Sequence, residues 1–136
     1  MSMTQKNGAI QGHCLTFINS AATVAVATNT ELGEVYCNGV ESLGFRLGNA
    51  AGGGALDAFI VQFKYHPSGE YVTVASIATD FTNKVFPVVG ASASPVTLAA
   101  GSDVFIALDV RGVHSVKFLA SADTDPASAT IEGGGR

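Results

Sequence analysis

Alternation of apolar and polar side chains is the dominant pattern along this chain. In residues 59–65, FIVQFKY, the large side chains of Phe59, Val61 and Phe63 fall on one side of an extended backbone. Gln62 and Lys64 fall on the other side. A period of two residues is that of a β-strand with one buried face. The pattern therefore predicts a half-buried strand here.

A turn and a returning strand follow. In HPSG at 66–69, proline presets φ at the first central turn position, and Gly69 is expected to adopt a positive φ. Residues 70–76 then alternate again, with Val72 and Val74 on one face. Segment 59–76 is therefore predicted to be a β-hairpin.

Similar patterns recur along the rest of the chain. Residues 13–19 and 22–28 are predicted to pair, with a bend at Asn19 and Ser20. Further strands are predicted at 34–37, 41–47, 85–89, 95–99, 103–110, 113–121 and 127–132. No segment has a helical period over ten residues. About eight to ten short antiparallel strands predict an all-β fold, as a single β-sandwich or jelly-roll-like barrel.

The chain has 136 residues, which suits one domain. We place the β-sandwich domain at 13–132, after a flexible N-terminal arm at 1–12. Residues 133–136, GGGR, are predicted to be a disordered tail because glycine loses the most backbone entropy on ordering. The N-terminal residues lack the apolar core of a signal peptide. We therefore expect synthesis in a cytoplasm, with Cys14 and Cys37 reduced.

Charge is sparse. Charged residues make up 13% of the chain and the net charge is −4, with the seven basic residues scattered along it. Nucleic acids and anionic membranes attract concentrated positive charge, so this distribution argues against both as partners. No stretch approaches the 18 apolar residues of a membrane-spanning helix. The exposed surface must consist largely of small neutral side chains, which suits contact with other proteins.

Residues suited to catalysis or metal binding are few, and their spacing does not match the site motifs considered below. His13, His66 and His114 do not form the paired short spacings of a zinc site. Asp123 and Asp125 share a loop, but the glycine and distal glutamate of a calcium loop are missing. No nucleophile elbow or phosphate-binding loop occurs, and GNAAGGG at 48–54 fits neither glycine-rich phosphate motif. We therefore expect no enzyme activity, no metal and no cofactor.

Tryptophan is absent, and the three tyrosines bear on the alternative of a carbohydrate- or surface-binding module. Tyr36, Tyr65 and Tyr71 all lie in strand-like positions. Tyr65 and Tyr71 flank the HPSG turn, where they are expected to form a cross-strand pair. That arrangement favours a structural role for these rings over sugar stacking, and the binding module stays as an alternative.

Two segments together resemble a known group of proteins. They are ALDAFIVQFKYHPSGEYVTVAS at 55–76 and TLAAGSDVFIALDVRGVHSVKFLASAD at 97–123. Their order of strands and turns resembles that of small β-sandwich virion proteins of tailed bacteriophages, namely capsid decoration (cement) proteins and head–tail accessory proteins. The likeness covers about 50 residues.

The resemblance implies a structural role in a virion. A decoration protein binds the exterior of the shell, contacts the major capsid protein or other virion proteins, and is often a homo-oligomer, with a trimer favoured. A neck, tail or fibre protein is the alternative within the virion. The candidate interface comprises the N-terminal arm and the glycine-rich loop: Gln5, Lys6, Asn7, Gly8, Ala9, Ile10, Gly48, Asn49, Gly52, Gly53 and Gly54.

Overall fold

The computed structural model describes residues 16–76 and 98–136, with the backbone alone at 74–76. Eight strands form two four-stranded antiparallel sheets, which confirms the all-β sandwich. The strands are β1 (Thr16–Val24), β2 (Thr30–Tyr36), β3 (Ser42–Asn49), β4 (Leu56–Lys64), β5 (Val72–Ser76), β6 (Asp103–Asp109), β7 (Ser115–Ala122) and β8 (Ala127–Gly135). Among the described residues, no helix is long and apolar enough to span a bilayer.

The strand order is β1-β8-β3-β6 in one sheet and β2-β7-β4-β5 in the other. Among the strands described, β4 and β5 are the only consecutive pair that lie side by side in one sheet. Every other described connection passes from one sheet to the other. Apart from the β4–β5 pair, the contacts that hold each sheet together are therefore between residues distant in sequence.

The core lies between the sheets and is centred on three phenylalanine rings. Phe45 on β3 lies 4.8 Å, between ring centroids, from Phe118 on β7. Phe59 on β4 stacks on Phe118 with an interplanar angle of 10° and a centroid distance of 5.9 Å. All three are at most 4% exposed. Since Phe45 belongs to one sheet and the other two rings to the second, this cluster joins the layers.

The hairpin predicted at 59–76 is confirmed, as β4 and β5 pair antiparallel. Phe63 lies opposite Val72, so the register places the next residues, Lys64 and Tyr71, opposite each other. The expected pairing of Tyr65 with Tyr71 is therefore wrong, because the register places them out of step. The turn also differs at Gly69, which is not among the glycines with positive φ; its N–H donates to the His66 carbonyl at 2.8 Å.

The hairpin predicted from 13–19 and 22–28 is wrong. Residues 16–24 run straight through the expected bend as the single strand β1, and the partner of β1 is β8 at the other end of the chain. The small polar residues Asn19 and Ser20 lie opposite Glu132 and Ile131 within this ladder. A turn-like composition was overridden by long-range pairing.

The prediction of a disordered tail at 133–136 is also wrong for the three glycines, because they form the end of β8 between β1 and β3. A Cβ added to Gly133 would lie 2.1 Å from the Gly44 carbonyl oxygen, and one added to Gly135 would lie 2.7 Å from Val40. Arg136 also exchanges two backbone hydrogen bonds with Ser42, each 3.0 Å long. The glycines are therefore positions where only bare backbone fits, and ladders on both sides offset their entropy.

Some predictions lie outside the described residues. They are the flexible arm at 1–12 with its candidate residues, the start of the predicted strand at 13–19, the predicted strand at 85–89, and the first three residues of the predicted strand at 95–99. Within the described part, Leu98 forms an isolated bridge with Leu56.

Candidate protein-binding face

The outward side of the sheet β1-β8-β3-β6, here called the open face, is organised in rows that cross the strands. The first row consists of Phe17, Gly134, Gly44 and Ala107, which lie opposite one another on the four strands. The next row consists of Asn19, Glu132, Arg46 and Phe105. These are the positions between the buried residues of each strand, so the alternation that builds the core also sets this surface.

The first row has almost no side chains between its edges, and Gly134, Gly44 and Ala107 are here called the floor of the open face. Gly134 and Gly44 carry no side chain, and a Cβ added to Gly44 would meet nothing within 4 Å. A shallow cavity of about 480 Å³ lies against this part of the sheet, lined by residues that include Gly44, Phe105 and Ala107. The floor thus permits close approach of another molecule to the sheet backbone.

Two exposed aromatic rings border that floor. Phe17 on the edge strand β1 is 65% exposed, and Phe105 on the opposite edge strand β6 is 56% exposed. Three strand spacings separate the two columns, which is about 14 Å. Exposed phenylalanines on both sides of a low, small-residue floor give the open face an apolar rim that water solvates poorly.

The charges of the open face are paired within it. Arg46 contacts Glu132, with Nη2 2.7 Å from Oε1, and Asp103, with Nη1 3.3 Å from Oδ2. The hydrogen bond to Glu132 is the main cause that raises the pKa of Arg46. A Cβ added to Gly48 would lie 2.8 Å from Arg46 Nη1, so the guanidinium lies over that glycine. The cation is therefore held down against the sheet rather than projecting from it.

Segment 48–54 consists of the end of β3, at Gly48 and Asn49, and of a loop that packs against the rest of the domain. Gly48, Asn49 and Gly54 are buried, whereas Gly52 and Gly53 are exposed. Asn49 Nδ2 donates to the carbonyls of Gly54 and Leu98, at 3.0 Å each. Its Oδ1 is buried without a hydrogen-bond partner among the described residues. The three buried positions are thus unavailable to a partner while the sheet is intact, and Gly52 and Gly53 remain as exposed candidates.

Sequence reasoning missed Phe17 and Phe105, although a signal for both was present. Val104, Ile106 and Leu108 alternate toward the core, so Phe105 had to lie on the outward side of β6. Phe17 is placed outward in the same way by its neighbour Ile18, which is 6% exposed. What the sequence did not show is that both rings belong to one face, since β1 and β6 are joined only through β8 and β3.

The histidines and acidic residues that were weighed for chemistry do not converge. His66 Nδ1 accepts a hydrogen bond from the Ser68 N–H at 3.0 Å, and His114 Nδ1 lies 3.2 Å from Ser115 Oγ. His13 lies outside the described residues. Among residues 16–76 and 98–136, no group of three histidine, cysteine or acidic side chains is close enough to hold a metal ion.

Comparison with known proteins adds one structure. No family model matches this chain, and no curated protein matches it. Among solved structures, the SPBc2 prophage-derived protein YomS is similar over 87% of this chain and 94% of its own, with 11% sequence identity and a TM-score of 0.43. A phage-derived protein is therefore one structural neighbour, and a likeness at this level carries no inference about function.

Proposed function

We propose that this protein is a structural component of a tailed-bacteriophage virion, acting as a decoration (cement) protein that binds the capsid exterior and stabilises the shell. The resemblance of the sequence to virion proteins of tailed bacteriophages suggests the assembly, a phage particle. The observation that carries the proposal is the open face, which combines two exposed rings, Phe17 and Phe105, with a floor of Gly44, Gly134 and Ala107.

This composition suits adhesion to protein. Aromatic anchors supply much of the binding energy where they fill pockets in a partner. The floor lets the partner's side chains reach the sheet. Arg46 is already paired with Glu132 and Asp103, so binding would not remove water from an unpaired charge. Many copies on a symmetric shell turn modest contacts into firm retention.

In this proposal the partners are the major capsid protein and other copies of the chain in a homo-oligomer, with a trimer favoured. The protein is made in the host bacterial cytoplasm and resides in the virion. It performs no catalysis and needs no cofactor, and neither nucleic acid nor membrane is a partner. The neck, tail or fibre of the virion is the alternative location.

Co-sedimentation with expanded heads, isolated from the source phage after deletion of this gene, tests the proposal. We expect hundreds of copies per head and a higher melting temperature of the heads. Phe17→Ser, Phe105→Ser and Gly44→Gln should each lower occupancy while leaving the unfolding midpoint of the free protein nearly unchanged. Tyr36→Ser, which removes an equally exposed ring away from the open face, is the matched control. Full occupancy by the open-face variants would contradict the proposal.

The copy number separates the alternatives. Six or twelve copies per particle would assign the protein to the neck or tail, and absence from purified virions would exclude a structural role there. Deletion of residues 1–12 is expected to leave the fold intact and weaken binding to heads. Equal occupancy by the truncated protein would show that the arm plays no part in attachment.

A further inference from the structure

Three turns meet at one end of the sandwich and border an open cleft of about 620 Å³. They are the β2–β3 turn, the β4–β5 turn and the β6–β7 turn, which contribute Asn38 and Glu41, Tyr65, and Arg111 and His114 respectively. The volume lies within the range of about 300–1,000 Å³ usual for small-ligand sites. None of its lining residues borders the cavity on the open face, so this site is independent of the proposed attachment surface.

One exposed aromatic ring, Tyr65, lines the cleft, and a second, Tyr36, lies beside the lining residue His114. Tyr65 is 58% exposed and packs edge-on against the core ring of Phe63, with centroids 6.1 Å apart. Tyr36 is 65% exposed and packs edge-on against His114, with centroids 5.4 Å apart. Each ring is therefore buttressed by a neighbour and leaves a face to solvent. Such rings offer a flat apolar platform with little entropy left to lose on binding.

Polar side chains line the cleft together with Tyr65, and one of them, Arg111, is oriented by a carboxylate. Arg111 Nε donates to Asp109 Oδ1 at 3.0 Å, and Arg111 Nη2 contacts Asp109 Oδ2 at 2.5 Å. This two-point contact fixes the guanidinium plane, as expected of a bidentate arginine–carboxylate pair. Asn38 and Glu41 add an amide and a carboxylate to the lining. Gly39 and Gly112, with φ near +80°, leave the turn tips open, since an added Cβ there meets nothing within 4 Å.

The charges of the cleft balance. Among the described lining residues, Glu41 and Arg111 carry permanent charge and are of opposite sign. Asp109 and Arg136, which line the adjoining concavity, add one more charge of each sign. A strongly anionic or cationic ligand would find no net attraction here. The site favours a neutral ligand with an apolar face and many hydroxyl groups.

A peptide fits less well, because the turn backbones are already paired. The Val40 N–H donates to the Cys37 carbonyl at 2.9 Å, and the Val113 N–H donates to the Val110 carbonyl at 3.0 Å. The Cys37 N–H itself donates to the His114 carbonyl at 2.9 Å. Recognition of extended peptides relies on free main-chain donors and acceptors, and these three N–H groups and their acceptor carbonyls are already engaged.

We propose that this end cleft binds a neutral saccharide, with one sugar ring stacked on Tyr65 and its hydroxyl groups hydrogen-bonded to Asn38, Glu41 and Arg111. The structure thus divides the three tyrosines by role. Tyr71 is engaged within the second sheet, by a hydrogen bond to Ser115 Oγ at 2.8 Å. Tyr36 and Tyr65 are both exposed to solvent, and of these two Tyr65 lines the cleft.

A glycan array of neutral oligosaccharides, with a peptide array beside it, tests this inference. We expect the wild-type protein to bind members of the glycan array. For the strongest of them, a titration followed by amide chemical shifts should perturb residues 37–41, 65–67 and 111–114 and leave the open face unchanged. Tyr65→Ala should weaken binding by about tenfold or more, which corresponds to the loss of one ring contact. Tyr65→Phe keeps the ring and should bind as the wild type does.

Phe105→Ser, on the open face, is the control and should bind saccharides normally whatever its effect on capsid attachment. The proposal is overturned if no neutral oligosaccharide binds, if Tyr65→Ala binds as well as the wild type, or if the shifts map outside the cleft. Binding to the peptide array through these same residues would also overturn it. The shift mapping uses the wild-type protein, so it decides the matter even if Tyr65→Ala does not fold.

Discussion

Tyr71, which directly precedes β5, donates a hydrogen bond to the carboxylate of Glu34 on β2. Strands β7 and β4 lie between them, so this side chain crosses the outer surface of the second sheet from one edge strand to the other. Lys117 Nζ lies 4.4 Å from the centroid of the Tyr71 ring, and Lys64 Nζ lies 5.1 Å from it. The ring therefore joins all four strands through hydrogen bonds and cation–π contacts.

Tyr71→Phe tests the contribution of the hydroxyl group. The variant keeps the ring beneath the lysines but loses the bond to Glu34 and leaves the buried Ser115 hydroxyl with one fewer partner. We expect a loss of about 1–3 kcal/mol in the free energy of unfolding, as measured by urea denaturation. Tyr65→Phe is the control and should change stability by less than about 0.5 kcal/mol. Equal midpoints for Tyr71→Phe and the wild type would contradict this role.

Alkaline pH should remove the same stabilisation. Burial, and then the hydrogen bond to Glu34, raises the pKa of Tyr71 from its ordinary value of 10 to about 12. A group whose folded pKa is raised contributes stability that is complete below pH 10 and is lost as pH rises toward 12. Unfolding curves measured from pH 8 to pH 12 should therefore converge for the wild type and Tyr71→Phe. Parallel curves over that range would refute the assignment.

The two glycines Gly133 and Gly44 are adjacent in space and should respond in opposite ways to alanine. An added Cβ at Gly133 would lie 2.6 Å from the Phe45 Cα, whereas one at Gly44 points into open space. Gly133→Ala should cost about 1–3 kcal/mol or more, because the sheet must shift to relieve the overlap. Gly44→Ala should be nearly neutral in the same denaturation experiment. Similar stabilities for the two variants would show that β8 does not pack as described.

Asn49 should prove necessary for the loop at 48–54. It is 3% exposed, and its amide nitrogen donates to the Gly54 and Leu98 carbonyls. Asn49→Ala loses both bonds, at an expected cost of about 1–3 kcal/mol. Asn49→Asp should cost more at pH 7, since a buried carboxylate would face two carbonyl oxygens, and should recover in part at pH 4 when it is protonated. Thermal unfolding at the two pH values measures the difference; an aspartate variant as stable as the wild type would count against this anchor.

Cys37 should resist alkylation in the folded protein. It is a free thiol that is 1% exposed, and burial raises its pKa to about 11. The thiolate is the reactive form, so both access and ionisation are suppressed. In a Cys14→Ser background, iodoacetamide at pH 8 should label Cys37 only as fast as the protein unfolds. Rapid labelling under native conditions would show that this end of the core is open.

The hairpin β4–β5 could be predicted because its alternation, proline and glycine lie within 18 consecutive residues. The failures at 13–28 and at 133–136 have a common cause. Asn19 pairs with Glu132, and Gly133 pairs with Phe45, so the partners in these β-ladders are 88 or more residues apart. Composition reports local preference, and these segments prefer turn or coil by themselves.

Local sequence fixes the class of the fold and the faces of its strands, because a period of two residues sets which side chains point toward the core. The scattered basic residues also predict no strong attraction to nucleic acid, since such attraction needs clustered positive charge. Which strands are neighbours became known from the three-dimensional fold, as did the shared face of Phe17 and Phe105 and the cleft at Tyr65 bordered by three turns. The reason is that most paired strands lie far apart along the chain. Which strands pair therefore depends on packing of the whole core and not on any local pattern.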